Sequence, residues 1–155
     1  MLVDQMNATM LKAVLESLPV EITVIDANDE VVGWNKHEGR LFKRPLTSMG
    51  LNFRDCHPET SLSKVIQIVE EMRAGKRDSA RFWIDLPVNP RIGLKAGTMT
   101  GSSVGPKGDP ENPRHKVLIE FFALRDDEGN YLGCMECTQD VDHIRKLEGE
   151  KRLLD

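Results

Sequence analysis

Cys56–His57–Pro58 is the sharpest local feature of this 155-residue chain. An imidazole beside a thiol offers more than one chemistry. His57 can hydrogen-bond a small molecule, or ligate an iron such as that of haem through a ring nitrogen. The plainer reading buries Cys56 as a small hydrophobe and bonds His57 to a backbone group near a helix start. One histidine without a visible partner does not make a metal site, so pocket lining by His57 ranks above metal ligation. A second feature is Cys134–Met135–Glu136–Cys137, with C-x-x-C spacing. On a tight loop this would suit a redox pair or half a zinc site. On a strand, residues three apart point to opposite faces and the sulfurs do not meet. No second C-x-x-C accompanies it, so packed strand cysteines are the expectation. Arg54, Arg81 and Arg125 could each hold an anionic group by bidentate contacts, or simply sit solvated at the surface. The run Gly101 to Gly108 is glycine-rich but lacks the Gly-Lys-Ser/Thr order and the following helix that aim N–H groups at a phosphate. No Ser/His/Asp set or paired carboxylates stand out in an ordered context. No catalytic residue and no metal site is therefore assigned.

These groups must be positioned by elements that the apolar pattern outlines. Residues 8–18 carry Met10, Leu11, Val14, Leu15 and Leu18 at helical spacing, with Asn7 or Thr9 as cap and Pro19 as stop. Residues 20–26 and 31–35 are strand-like around the turn-rich 26–30 and read as a hairpin. Residues 36–58 are irregular. Pro58 suits the opening of a helix, which runs over 60–74 to Gly75. Strands follow at 78–86, 116–124 and 131–138, the last two joined by a polar turn at 126–129. Residues 87–114 are dense in Gly, Pro, Ser and Asn with no periodicity and read as a long loop or hairpin arm. The charged run 141–155 reads as a helix. Strands grouped around a helical excursion and joined by short turns suggest an α+β fold with an antiparallel sheet.

Composition bounds the class. The hydrophobic fraction of 39% and charged fraction of 30% suit a globular protein of one domain. A net charge of −4 argues against nucleic acid as the main partner. No apolar run approaches the roughly 18 residues of a membrane span, and the N-terminus lacks the basic start and apolar core of a secretory signal. Three cysteines in no framework spacing fit a reduced, cytoplasmic setting.

Five segments, LPVEITVID (18–26), FRDCHPETSLSKV (53–65), RFWI (81–84), FFALRDDEGNYLGCMECTQDV (121–141) and IRKLEGEKRLLD (144–155), together resemble a PAS domain. The resemblance is nearest to the subtype at the C-terminus of poorly characterised bacterial and archaeal proteins, some with a hemerythrin-like domain. It covers nearly the whole chain apart from the insert at 87–114. It implies a five-stranded antiparallel sheet with helices over one face, a small ligand or cofactor between the two, and dimerisation without catalysis. Two departures stand out. The insert is far longer than the turn expected there, and the family's Asp-Ile-Thr-like junction appears as Asp140–Val141–Asp142, with Asp142 as the expected cap of the exit helix. The flavin-binding light-sensing branch carries Asn-Cys-Arg-Phe-Leu-Gln around its cysteine. Here the order is Asp55–Cys56–His57–Pro58–Glu59, without the arginine and glutamine that engage flavin, so photochemistry is not expected.

The resulting expectation is a single PAS domain over 1–155, with an N-terminal helix (1–19), the insert (87–114) and an exit helix (140–155). The pocket is assigned to Cys56, His57, Trp34, Phe53, Trp83, Phe121 and Met135, since ligand pockets are mostly apolar with a few polar groups. Alternation splits Phe82 from Trp83 and Phe121 from Phe122 between two faces, and the sequence leaves open which face is which. The signal junction is assigned to Gln139, Asp140 and Asp142. The ligand is unidentified, with haem through His57 as one possibility. Expected partners are a second copy of the chain, packing through the N-terminal helix, and a signalling protein, with no nucleic acid and no membrane. The alternative is a ligand-free dimerisation or interaction module with a filled core.

Overall fold

The computed structural model describes residues 5–35, 40–87 and 114–153. The sheet contains β1 (Glu21–Asp26), β2 (Val31–Trp34), β3 (Ser79–Pro87), β4 (Arg114–Arg125) and β5 (Tyr131–Asp140), in the order β2-β1-β5-β4-β3 with every pairing antiparallel. The helices are α1 (Ala8–Ser17), the single turn α2 (Phe53–Cys56) and α3 (Glu59–Arg73). The α+β architecture expected from the sequence is therefore present.

Local chemistry fixes each element. The Asn7 side chain accepts from the Met10 N–H at 2.9 Å and caps α1. The β1–β2 and β4–β5 hairpins turn by the same device. Asp26 accepts from the N–H groups of Asn28 and Glu30, and Asp126 from those of Glu128 and Asn130. Asn52 caps α2 by accepting from Arg54 N. Pro58 stands at the cap of α3, whose buried stripe is Val65, Val69 and Met72. The helix stops where Gly75 turns to φ +69°, with Gly75 N donating to Met72 O and Lys76 N to Glu71 O, a Schellman ending.

Register decides the faces that sequence alone left open. Thr23 pairs with Glu136, Ile25 with Cys134, Phe121 with Glu136 and Ala80, and Phe82 with Ile119. These residues share the face covered by α2 and α3, where Ile25, Val31, Phe53, Val65, Val69, Met72, Val117, Ile119, Phe121 and Cys134 form the buried core. The opposite face carries Trp83, Leu118, Phe122, Met135 and Cys137, one residue out of phase. The C-x-x-C cysteines separate as strand alternation requires, and all three cysteines are free thiols.

Two expectations are corrected. The exit helix over 140–155 is absent among the described residues, where a single 3-10 turn at Ile144–Lys146 is followed by irregular chain. A segment this short gains too little from its own hydrogen bonds, Gly149 breaks it at φ +64°, and Leu147 and Leu153 have no surface to cover them, being 75% and 93% exposed. Asp142 accordingly caps no helix. It accepts from the Lys116 N–H and pairs with Arg145 and Lys146. The insert is also shorter than 87–114, since Pro87, the last residue of β3, pairs with Arg114, the first of β4. Its remainder, 88–113, lies outside the described residues, as do residues 1–4 of the N-terminal segment and the last two residues, 154–155, of the expected exit helix.

Candidate functional site

The sheet's inner face and the helices enclose a cavity of about 20 Å³. That is room for roughly one water, against the roughly 300–1,000 Å³ of typical ligand pockets. Its walls come from β1 (Thr23, Ile25), β2 (Val31), α2 (Phe53, Cys56), α3 (Val65), β4 (Phe121) and β5 (Cys134, Glu136), with Arg44 and His57 from the connecting segments. Most of this wall is apolar. Three of its polar groups, Thr23, Arg44 and Glu136, are bonded together.

Arg44 makes an ion pair with Glu136, with Nη2 3.2 Å from Oε2, and the two side chains are only 11% and 14% exposed. Thr23 Oγ1 accepts from Arg44 Nε at 3.4 Å and from Arg40 Nη2 at 3.2 Å. Arg40 in turn lies 3.8 Å from the buried Glu21. Burial lowers the pKa of the Arg40 guanidinium, Glu21 opposes that shift, and neighbouring Arg44 adds to it. Glu21 also accepts from the backbone N–H groups of Leu41 and Phe42. This network therefore stitches segment 40–44 to the sheet.

His57 is fixed by its own backbone. Its Nδ1 is 2.8 Å from the Phe53 carbonyl, so Nδ1 carries a proton and donates, and Nε2 is the ring nitrogen left for other contacts. The ring meets Phe53 edge-on, with centroids 5.8 Å apart. Thiolate chemistry finds no support here. Burial pushes the Cys56 thiol up, with Arg44 only partly opposing it, and burial pushes Cys134 up to about 12. Cys134 donates to Met72 Sδ at 3.6 Å, a core contact.

Of the residues assigned from sequence, the structure brings Phe53, Cys56, His57 and Phe121 together around the cavity. Trp34 shares the inner face opposite Thr23 and packs against the edge of the core without lining the cavity. Trp83 and Met135 are corrected. Both lie on the outer face, paired with Leu118 and Phe122 respectively, and Trp83 is 64% exposed. Strand alternation sends their neighbours Phe82, Ile84, Cys134 and Glu136 inward instead. Sequence reasoning missed Thr23, Arg44 and Glu136. Glu136 follows from period two once Phe121 is known to face inward. Arg44 sits in an irregular segment with no periodicity to reveal it. The arginines weighed as anion holders are all engaged by protein groups: Arg54 by Asp29, Arg81 by Glu120 and Arg125 by Asp78.

Of the three assigned junction residues, Asp140 and Asp142 meet. Asp140 Oδ1 accepts from Asp142 N at 2.9 Å, and its other oxygen contacts His115 Nδ1 at 2.5 Å. Hydrogen bonding from Lys146, then from the Lys116 N–H, holds the Asp142 carboxyl below its ordinary range. Gln139 pairs with Leu118, on the outer face. Haem does not fit the cavity as built. His57 retains a second ring nitrogen, but a macrocycle cannot enter a water-sized space. No cluster of metal-ligating side chains occurs among the described residues.

The PAS domain family matches residues 11–99, more than half of the chain. The chain belongs to the PAS domain family. This PAS domain is similar to the C-terminal domain of a Streptococcus mutans protein, at 25% identity and a TM-score of 0.69, over 92% of this chain and 91% of that one. It is also similar to the PAS domain of a Colwellia psychrerythraea protein, at 10% identity and a TM-score of 0.56, over 87% and 97% of the two chains. A third likeness is to the Vibrio cholerae VqmA dimer, a DNA-binding receptor of the LuxR type. That match has 16% identity and a TM-score of 0.58, over 97% of this chain and 60% of that one. The last two likenesses establish the fold alone. No curated protein matches the chain. PAS domains are sensory and signalling modules, typically non-catalytic. The charge argument against nucleic acid gains nothing from these relatives, since one of them binds DNA. Among the described residues no helix is long and apolar enough to cross a membrane.

Proposed function

We propose that this PAS domain is a cytoplasmic, non-catalytic sensor of a small molecule, working as a homodimer and reporting to a signalling protein through the end of β5. One observation carries the reading: a largely buried ion pair, Arg44–Glu136, converges with Thr23 and His57 on a cavity in an otherwise apolar core. A core that served packing alone would gain nothing from it, because replacing a buried ion pair by apolar groups is often neutral or stabilising. Polar groups converging in an apolar pocket are the usual dress of a binding site.

The cavity must open to admit a ligand. The part that yields is segment 40–46, which brings Arg44 to the site and makes polar bonds to Glu21, Thr23 and Asn35, while Gly50 and Leu51 beyond it stay held to β2 by backbone bonds to Val31. Leu46 on it is already exposed. The route outward is short. Glu136 lies on β5 four residues before Asp140, whose carboxylate shapes the turn into the tail through Asp142. A ligand that shifts Arg44 off Glu136 biases the hold of β5 on that turn. Support for the dimer comes from α1, which buries none of its residues although Met10, Leu11, Val14 and Leu15 form one apolar stripe.

A second reading, a ligand-free dimerisation or interaction module, is favoured by the size of the cavity. Native mass spectrometry of freshly purified protein, with a visible spectrum of the same sample, separates the two. The sensor reading expects a bound small mass that is lost in His57→Ala. Apo dimers from every preparation, unchanged in stability by small-molecule extracts of the host cell, would overturn it in favour of the interaction module.

A further inference from the structure

Resting on the small-molecule reading above, we infer that the cavity selects an uncharged ligand with an amide or lactam edge, its carbonyl toward Arg44 and its N–H toward Glu136. The argument is one of charge balance in a confined space. Among the described residues, Arg44 and Glu136 are the only Arg, Lys, Asp or Glu side chains in the lining. Each is nearly buried, and each is already neutralised by the other at 3.2 Å. Behind them Arg40 and Glu21 form a second balanced pair, so two cations face two carboxylates. Thr23 Oγ1 lies between the two arginines and accepts from both.

A ligand bearing a net charge upsets this balance. An anion that takes Arg44 leaves the Glu136 carboxylate buried beside it without its partner. A cation that takes Glu136 strands Arg44 in the same way. Either outcome leaves a desolvated charge unpaired, which costs far more than the new contact returns. An amide edge avoids both penalties. It presents an acceptor and a donor side by side, as the guanidinium and carboxylate present a donor and an acceptor, so it inserts into the pair while keeping both charges satisfied. His57 adds to the selection. Its Nδ1 is committed to Phe53 O, and when the ring is neutral Nε2 remains to accept a second N–H. The rest of the wall, Ile25, Val31, Phe53, Val65 and Phe121, is apolar and would face an apolar or aryl body once segment 40–46 yields and the water-sized space widens.

Benzamide, benzoate and benzamidinium test this directly, because they share one shape and carry charges of zero, minus one and plus one. Binding of each to the full chain is followed by amide chemical-shift changes at Thr23, Arg44, His57 and Glu136. The wild type should take benzamide at least ~10-fold more tightly than either charged probe. Glu136→Gln should shift preference to benzoate and Arg44→Gln to benzamidinium. Should either single variant fail to fold, the double variant Arg44→Gln/Glu136→Gln, which removes both charges of the lining together and leaves the Arg40–Glu21 pair behind it balanced, should still take benzamide first. A charged probe that matches benzamide on the wild type overturns the charge selection and leaves the sensor reading standing. Silence from all three probes at these four positions also overturns the charge selection, while the sensor reading stands or falls on the native mass spectrum.

Discussion

The side chain of Asn35 makes four hydrogen bonds among the described residues, and the residue is almost completely buried. Its oxygen accepts from Ile22 N and Arg40 Nη1, and its amide donates to the carbonyls of Leu15 and Val20. One side chain thereby ties α1, β1 and segment 40–44 together, so Asn35→Ala should cost about 2–3 kcal/mol in denaturant unfolding. Tyr131 presents the reverse case. Its hydroxyl is buried and finds no hydrogen-bond partner among the described residues, while the guanidinium groups of Arg73 and Arg125 lie 5.2 and 5.9 Å from the centre of its ring. Tyr131→Phe keeps the ring contacts and removes the orphaned group, so thermal unfolding should find it as stable as the wild type or more so. Burial raises Tyr131 from 10.0 to about 12 and Cys134 from 9.0 to about 12. Both therefore hold their protons more tightly in the folded chain than in the unfolded one. Their contribution is complete below pH 9 and is lost as pH climbs toward 12. The melting midpoint should fall from about pH 9 upward, and less steeply in Cys134→Ala. An equal slope in that variant would remove Cys134 as a cause. At pH 8 an alkylating reagent should reach Cys56 and Cys137 while Cys134 stays protected until the domain unfolds.

At the level of elements, the strands and long helices were legible because each carries a periodic apolar pattern. Residues 60–74 show the stripe that becomes α3, and both hairpin turns announce themselves by Asp and Asn, the second also by Gly129. The exit helix was not legible as absent. Its stripe of Ile144, Leu147 and Leu154 has helical spacing, but spacing alone supplies no surface to pack on. The face of the sheet was also hidden, because two aromatic residues in succession, as in Phe82–Trp83 and Phe121–Phe122, fit either phase. Backbone geometry was hidden too. Gly133, at φ +150°, lies so close to β1 that an added Cβ would stand 2.1 Å from Ile25 O. Gly133→Ala should therefore break the β1–β5 pairing locally and cost about 2 kcal/mol or more in chemical denaturation. An alanine variant of wild-type stability would mean that the strands can part there without loss.

For the molecule as a whole, the family and the topology could be read from five short segments in order, whereas the centre of the candidate site could not. Arg44 reaches the sheet from an irregular stretch, and its meeting with Glu136, 92 positions away, is a product of tertiary structure. The proposed dimer belongs to this scale. Val14→Lys on the apolar stripe of α1 should leave the monomer folded and weaken association by at least ~10-fold in sedimentation equilibrium, and an unchanged association constant would remove α1 from the interface. The sheet order has one more consequence. β1 and β5 are neighbours, and the first residue of β1, Glu21, pairs with Thr138 near the end of β5. The segments before and after the sheet thus leave from the same end of one antiparallel pair. Tension applied between them pulls across the strands rather than along them, and loads the hydrogen bonds one at a time. Such a domain yields to a small force by unzipping from Glu21–Thr138, and the first bonds to open are those beside Asp140 and its turn.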